Sequence, residues 1–281
     1  MPRPAIPLLA LVAAMTSLPT AAAAPDFAAD WKRWHDQRVD RLKGPRSWLA
    51  LVGIHWLAEG ENRLDGLPGT FTLAKGTVTL AASAQDGYRL GTAAITQRAL
   101  ESDAGGKGDL VTLGEHRALT VIARGPKRAV RVWDADNPAR KSFPGIEAFP
   151  PDPRWRVEAR WEAYAAPKRV ETPTVIGIPA EESAPGRAHF SFGGQDFTLE
   201  PTAEDDGLFF VFKDATSKKE TYGAGRFLDA EGPKDGKVVL DFNRAVNPPC
   251  AYTAYATCPL PRPENVLPVR VEAGEKRPAG H

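Results

Sequence analysis

In the stretch "PDFAADWKRWHDQRVDRLKG", apolar Phe27, Trp31, Trp34 and Leu42 recur at helical intervals, with Lys, Arg and Asp between them. That period gathers them on one face of an α-helix, with Asp26 as its N-cap and Gly44 as its stop. An aromatic stripe of this kind reads as a docking face on the body of a protein. From Ser47 the period changes to two. Trp48, Ala50, Val52, Ile54 and Trp56 fall on one side, and Leu49, Leu51, His55 and Leu57 on the other. Both sides are largely apolar, which predicts a strand buried on both faces and ended by "AEGENRLDG". Short strand-like runs then recur between Gly, Asp and Pro: "TFTL", "GTVTLAA", "DLVTLG", "RALTVIAR" and "RAVRVWD".

Five prolines between Pro138 and Pro153 interrupt this rhythm and leave little room for regular structure. Beyond them, "RWRVEARWEAY" alternates Trp155, Val157, Ala159 and Trp161 with Arg154, Arg156, Glu158 and Arg160, a half-buried strand with a charged outer face. "RAHFSFGGQDFTLEP" predicts a hairpin turning at Gly193 and Gly194, and "GLFFVFKD" and "KVVLDFN" predict further strands. The expected fold is all-β, mainly antiparallel sheets forming a sandwich or distorted barrel, with one N-terminal amphipathic α-helix. Residues 24–281 are expected to form a single β-rich domain, with a possible subdivision near 137–153.

Composition adds a compartment. Residues 1–23 carry one early cation, Arg3, an apolar run from Ile6 to Met15, and small residues towards Ala23. This is the layout of a secretory signal peptide, too short in its apolar part to span a membrane, so the mature protein is expected to be exported, periplasmic or secreted, without stable membrane insertion. The whole chain has 36 basic and 35 acidic residues, and losing Arg3 leaves 35 of each. Without a basic stripe, no nucleic-acid partner is expected.

Two segments break the alternation: "FKDATSKKETYGAGRFLD", from Phe212, and the stretch that opens with "DFNRAVNPPC", from Asp241. Asp214, Thr216, Ser217, Glu220, Thr221, Tyr222, Gly225, Arg226 and Phe227 stand in the first. Asp241, Asn243, Arg244, Asn247 and Cys250 stand in the second, followed by "CPLPRPENVLPVRVEAGEK". This combination resembles the signature of a bacterial and archaeal domain-of-unknown-function family, number 1684, and the resemblance extends over roughly Trp48–Lys276. It implies no activity. One departure from the family pattern is Lys218, where a Gly follows Thr-Ser in the family.

Both segments follow apolar strands, so their polar groups are expected at strand ends, where sites on β scaffolds commonly lie. Asp214, Glu220 and Asp241 supply carboxylates; Arg226 and Arg244 supply forks for a carboxylate or phosphate; Tyr222, Asn243 and Asn247 supply neutral hydrogen-bonding groups. Three readings stay open: a small-molecule site, a scaffold of interstrand ties in a structural or envelope protein, and a hydrolase using a carboxylate base. No phosphate loop, dinucleotide fingerprint or nucleophile elbow occurs, so no cofactor is implied. The five His lack ligand spacing, so no metal is expected. Export would place Cys250 and Cys258 in an oxidising compartment, which predicts a disulfide between them, worth about 2.5 kcal/mol for so short a loop.

Overall fold

The computed structural model describes residues 26–204 and 207–279; the expected signal peptide lies outside the described residues. Helix α1 (Phe27–Leu42) forms where the 3.6-residue period predicts it. The Asp26 carboxylate accepts the Ala28 N–H at 3.1 Å as N-cap.

The N-terminal half is built from β1 (Leu51–Trp56), β2 (Gly60–Leu64), β3 (Leu67–Ala74), β4 (Thr77–Ala81), β5 (Tyr88–Leu90), β6 (Ala93–Ala94), β7 (Gln97–Leu100), β8 (Val111–Leu113), β9 (Arg117–Arg124) and β10 (Lys127–Asp134). They form a six-stranded sheet ordered β1-β10-β9-β8-β5-β6 and a four-stranded sheet ordered β2-β3-β4-β7. The two share a core of Phe71, Leu80, Tyr88, Leu119, Val121, Val130 and Val132, among others. Two local expectations differ. Trp48–Ala50 form a 3-10 turn, so the first strand starts only at Leu51. The polar "GENRL" is itself a strand, because its backbone pairs with β3 and a half-exposed hairpin arm needs little apolar content.

A proline-rich passage carrying the short helix α2 (Pro138–Lys141) leads to the second half. There β11 (Arg156–Thr172), β12 (Ala180–Phe192), β13 (Gln195–Leu199), β14 (Thr202–Glu204), β15 (Gly207–Phe212), β16 (Arg226–Glu231) and β17 (Lys237–Asp241) form sheets ordered β13-β12-β11-β17 and β14-β15-β16. The β12–β13 hairpin turns at Gly193 and Gly194, whose φ angles of 60° and 77° suit a primed two-residue turn. Leu208, Phe210 and Phe212 on alternate positions of β15 meet Phe190, Phe242 and Leu240 in a second core, distinct from the first. The protein is thus mainly antiparallel β, and no sheet closes into a barrel among the described residues.

Residues 242–277 have little regular structure, yet they tie the molecule together. The Phe242–Arg244 turn receives α1, with the Trp31 indole N–H donating to the Asn243 carbonyl at 2.8 Å. Further on, Thr253 and Thr257 reach the six-stranded sheet, at the Leu51 carbonyl and the Arg124 guanidinium. No described helix is long and apolar enough to cross a membrane.

Candidate functional site

The polar residues of the two non-periodic segments do not gather at one place. Asp214, just beyond β15, and Arg226, opening β16, form an ion pair at 3.1 Å, with side chains 0% and 1% exposed. Asp214 also accepts the backbone N–H groups of Thr216 at 3.1 Å and Val271 at 2.8 Å, together with the Thr216 hydroxyl, which lies 2.9 Å from that of Thr221. Arg226 donates to the carbonyls of Val271 and Ala273. The pair therefore clamps the C-terminal segment onto the ends of two strands, out of reach of solvent.

Asp241, Asn243 and Arg244 lie together at the docking site of α1. The Asp241 carboxylate caps the turn through the Asn243 N–H at 3.2 Å, and the Asn243 amide exchanges two hydrogen bonds with the backbone of Asp152. Arg244 pairs with Asp30 of α1 at 2.5 Å and lies over the Trp34 ring. Asp241 and Arg244 border a surface groove of about 740 Å³. Asn247 is buried. Its backbone N–H donates at 2.7 Å to Glu275, a buried carboxylate that also takes hydrogen bonds from Arg38 and Tyr252. Glu220 faces solvent, paired with Arg270 at 2.6 Å, and the Tyr222 hydroxyl donates to the Cys250 carbonyl at 2.9 Å.

The expected disulfide is corrected by the structure: Cys250 and Cys258 are both free thiols. The loop between them is held by its backbone, with Ala251 N–H on the Pro248 carbonyl and the Cys258 carbonyl accepting from Val175 at 3.0 Å. In that shape the Cys258 sulfur lies 3.2 Å from the Cys250 N–H and accepts it. A hydrogen bond between the thiols pulls the Cys250 thiol below its ordinary range and pushes that of Cys258 up. Among the described residues no group of three or more His, Cys, Asp and Glu is arranged to hold a metal.

A cavity of about 710 Å³ lies where the two halves meet. It arises from alternation in the six-stranded sheet. Val130 and Val132 point into the N-terminal core, so Ala129, Arg131 and Trp133 point the other way, as does Arg124 on β9. Trp48, Arg124 and Arg131 of the N-terminal half line it together with Phe209, Phe227 and Ala256 to Pro259 of the C-terminal half. The two Phe rings pack edge to face at 4.9 Å. Arg131 is only 7% exposed. Its Nε has no hydrogen-bond partner, its Nη2 reaches the Thr257 hydroxyl at 3.5 Å, and its Cζ lies 5.5 Å from the centre of the Trp48 ring. Asp103, the carboxylate whose field reaches it, is already engaged by Arg124 at 2.8 Å and by the Ala123 N–H at 2.7 Å. Burial first, then repulsion from Arg124, push the Arg131 guanidinium down to about 10. Sequence reading missed this residue. The signal was present: in "RAVRVWD" a cation shares its strand face with Ala129 and Trp133.

Residues 141–276 match the family described as "Protein of unknown function (DUF1684)". This span opens within the proline-rich passage and covers the C-terminal half, less than the Trp48–Lys276 range read from the sequence. The chain is 30% identical to an uncharacterized protein of Haloarcula marismortui solved by solution NMR, over 51% of this chain and 82% of that one, with a TM-score of 0.43. No curated protein matches. The protein thus belongs to the DUF1684 family, whose model its residues 141–276 match.

Proposed function

We propose that this is an exported small-molecule-binding protein whose ligand occupies the cavity between its two β halves. The observation that carries this reading is the shape and chemistry of that cavity. It is of drug-sized ligand volume, with aromatic and proline walls and a few polar groups, of which Arg131 is buried and without an ionic partner. The sealed Asp214–Arg226 pair supports a different role for those two residues, that of an interstrand tie holding the C-terminal segment at Val271 and Ala273. Asp241 and Arg244 border the other groove, of about 740 Å³, but their charges are largely met by Asp30 and by each other.

A thermal-shift screen of the mature protein against metabolites tests the reading, because a ligand selective for the native state must raise the melting temperature. A hit abolished by Ala180→Trp, which fills the cavity with bulk, supports it. Hits that survive Ala180→Trp but vanish on substitution at Asp241 and Arg244 would move the site to the groove. Export is tested separately by fractionating cells that express the full chain, where recovery from the cytoplasm alone with Met1 intact would refute it.

A further inference from the structure

Resting on that reading of the cavity, we infer that the ligand carries a single anionic head, a carboxylate or phosphate, seated on Arg131 and Arg124, with an apolar body against Phe209 and Phe227. A guanidinium removed from water is costly unless a counter-charge and acceptors replace its hydration. For Arg226 the protein supplies both. For Arg131 it supplies one long hydrogen bond, donated to a hydroxyl oxygen that also accepts from Arg124, and a ring face. The fork geometry matches what a planar carboxylate or a phosphate requires, and the neighbouring Arg124 adds positive field on the same side.

Carboxylates limit the ligand further. Glu181, Glu182 and Glu204, all from the C-terminal half, also line the cavity. Glu181 pairs with Arg169 and Glu182 accepts from Thr172, yet carboxylates in the lining still disfavour a second anionic group beside them. The ligand's tail is therefore neutral or cationic, and the aromatic edges favour a planar or aliphatic body of modest size.

The experiment uses four probes on the full mature chain: benzoate, phenyl phosphate, inorganic phosphate, and benzamide as the uncharged counterpart of benzoate. Benzoate or phenyl phosphate is expected to raise the melting temperature in a saturable way and benzamide is not. Whichever of the two binds more tightly assigns the head group, and weaker binding of inorganic phosphate shows the contribution of the apolar body. Arg131→Met is expected to weaken binding by about tenfold or more, as for loss of a charge-assisted hydrogen-bonding partner. Should Arg131→Met not fold, Arg131→Lys keeps the charge and loses the fork, with a smaller loss expected. Benzamide binding as tightly as benzoate, or benzoate binding unchanged in Arg131→Met, overturns the anionic head. If neutral compounds bind and Ala180→Trp blocks them, the cavity reading stands and this inference alone falls. If no compound binds the wild-type protein, both fall.

Discussion

Replacing Asp214 by Asn tests whether the most polar part of the family signature is a clamp. The two side chains are nearly the same size, so packing is preserved while charge and acceptor capacity change. Oδ2 accepts the N–H groups of Thr216 and Val271, and Oδ1 accepts from Arg226 and the Thr216 hydroxyl. An Asn has one acceptor oxygen, so its NH2 must face either two backbone donors or the guanidinium. Arg226 keeps its acceptors on Val271 and Ala273, but its charge, already disfavoured by burial, loses its counter-ion. Breaking a buried pair from one side costs on the order of 3–5 kcal/mol, which in a protein of this size lowers the melting temperature by roughly 6–20 °C. Urea unfolding of Asp214→Asn, Arg226→Met and the double variant measures it. The double variant should be less destabilised than the sum of the singles by more than about 1 kcal/mol, since neither buried charge is left alone. A single-variant loss below that amount, or strict additivity, would refute the clamp.

Three further outcomes follow from the structure. Glu200 accepts from Arg262 at 2.7 Å and from Tyr164 and Arg187; burial alone would raise its carboxyl, but these hydrogen bonds outweigh it and hold it below its ordinary range. A depressed carboxyl stabilises the fold above its unfolded value of 4.5 and loses that effect as pH falls through the lower folded value. Arg262→Met should therefore cost roughly 3 kcal/mol at neutral pH, and the gap to wild type should narrow in acid; a pH-independent gap in chemical denaturation contradicts this. Lys218 has φ +71°, a left-handed conformation that favours Gly, so Lys218→Gly should raise stability by about 0.5–1 kcal/mol despite its looser unfolded chain, and a lower melting temperature would count against it. Denatured, unreduced protein should show both thiols to a colorimetric reagent, the half-buried Cys250 reacting faster than the buried Cys258 in the native state; finding no thiols would mean that the bridge forms after all.

What could be read from the sequence was what depends on neighbours along the chain. The stripe of Phe27, Trp31, Trp34 and Leu42 gives α1, the pair Gly193–Gly194 gives a turn, and alternation along Val157, Ala159 and Trp161 gives the buried face of β11. Lys218, expected from the sequence to depart from a Gly position, does take a left-handed φ of +71°. What escaped depends on which distant segments meet. Arg262 and Glu200 lie 62 positions apart, and nothing near either names the other. Asp214 and Asp241 are the same residue type after similar strands, yet one is sealed against Arg226 and the other caps the Phe242–Arg244 turn beneath α1. The cysteines erred in the other direction. Their proximity in sequence and the expected export favoured a bond that the backbone of the loop, fixed by its own hydrogen bonds, does not form.

Two buried arginines therefore distinguish the parts of this protein. Arg226 has a carboxylate at 3.1 Å and two carbonyl acceptors, so its burial is balanced inside the fold and its removal can only unbalance Asp214. Arg131 has neither, and remains charged at neutral pH because even about 10 lies well above it. If nothing but folding were at stake, a Met of similar length at 131 would keep the contact with Trp48 without the desolvation cost. Groups held at a cost to stability are characteristic of places where the fold must receive something it does not itself contain. The location agrees: Arg131 belongs to the half outside the 141–276 family match, and it faces the C-terminal segment inside that match. The family unit alone would lack this cation, so the anionic specificity argued above is a property of the two halves together.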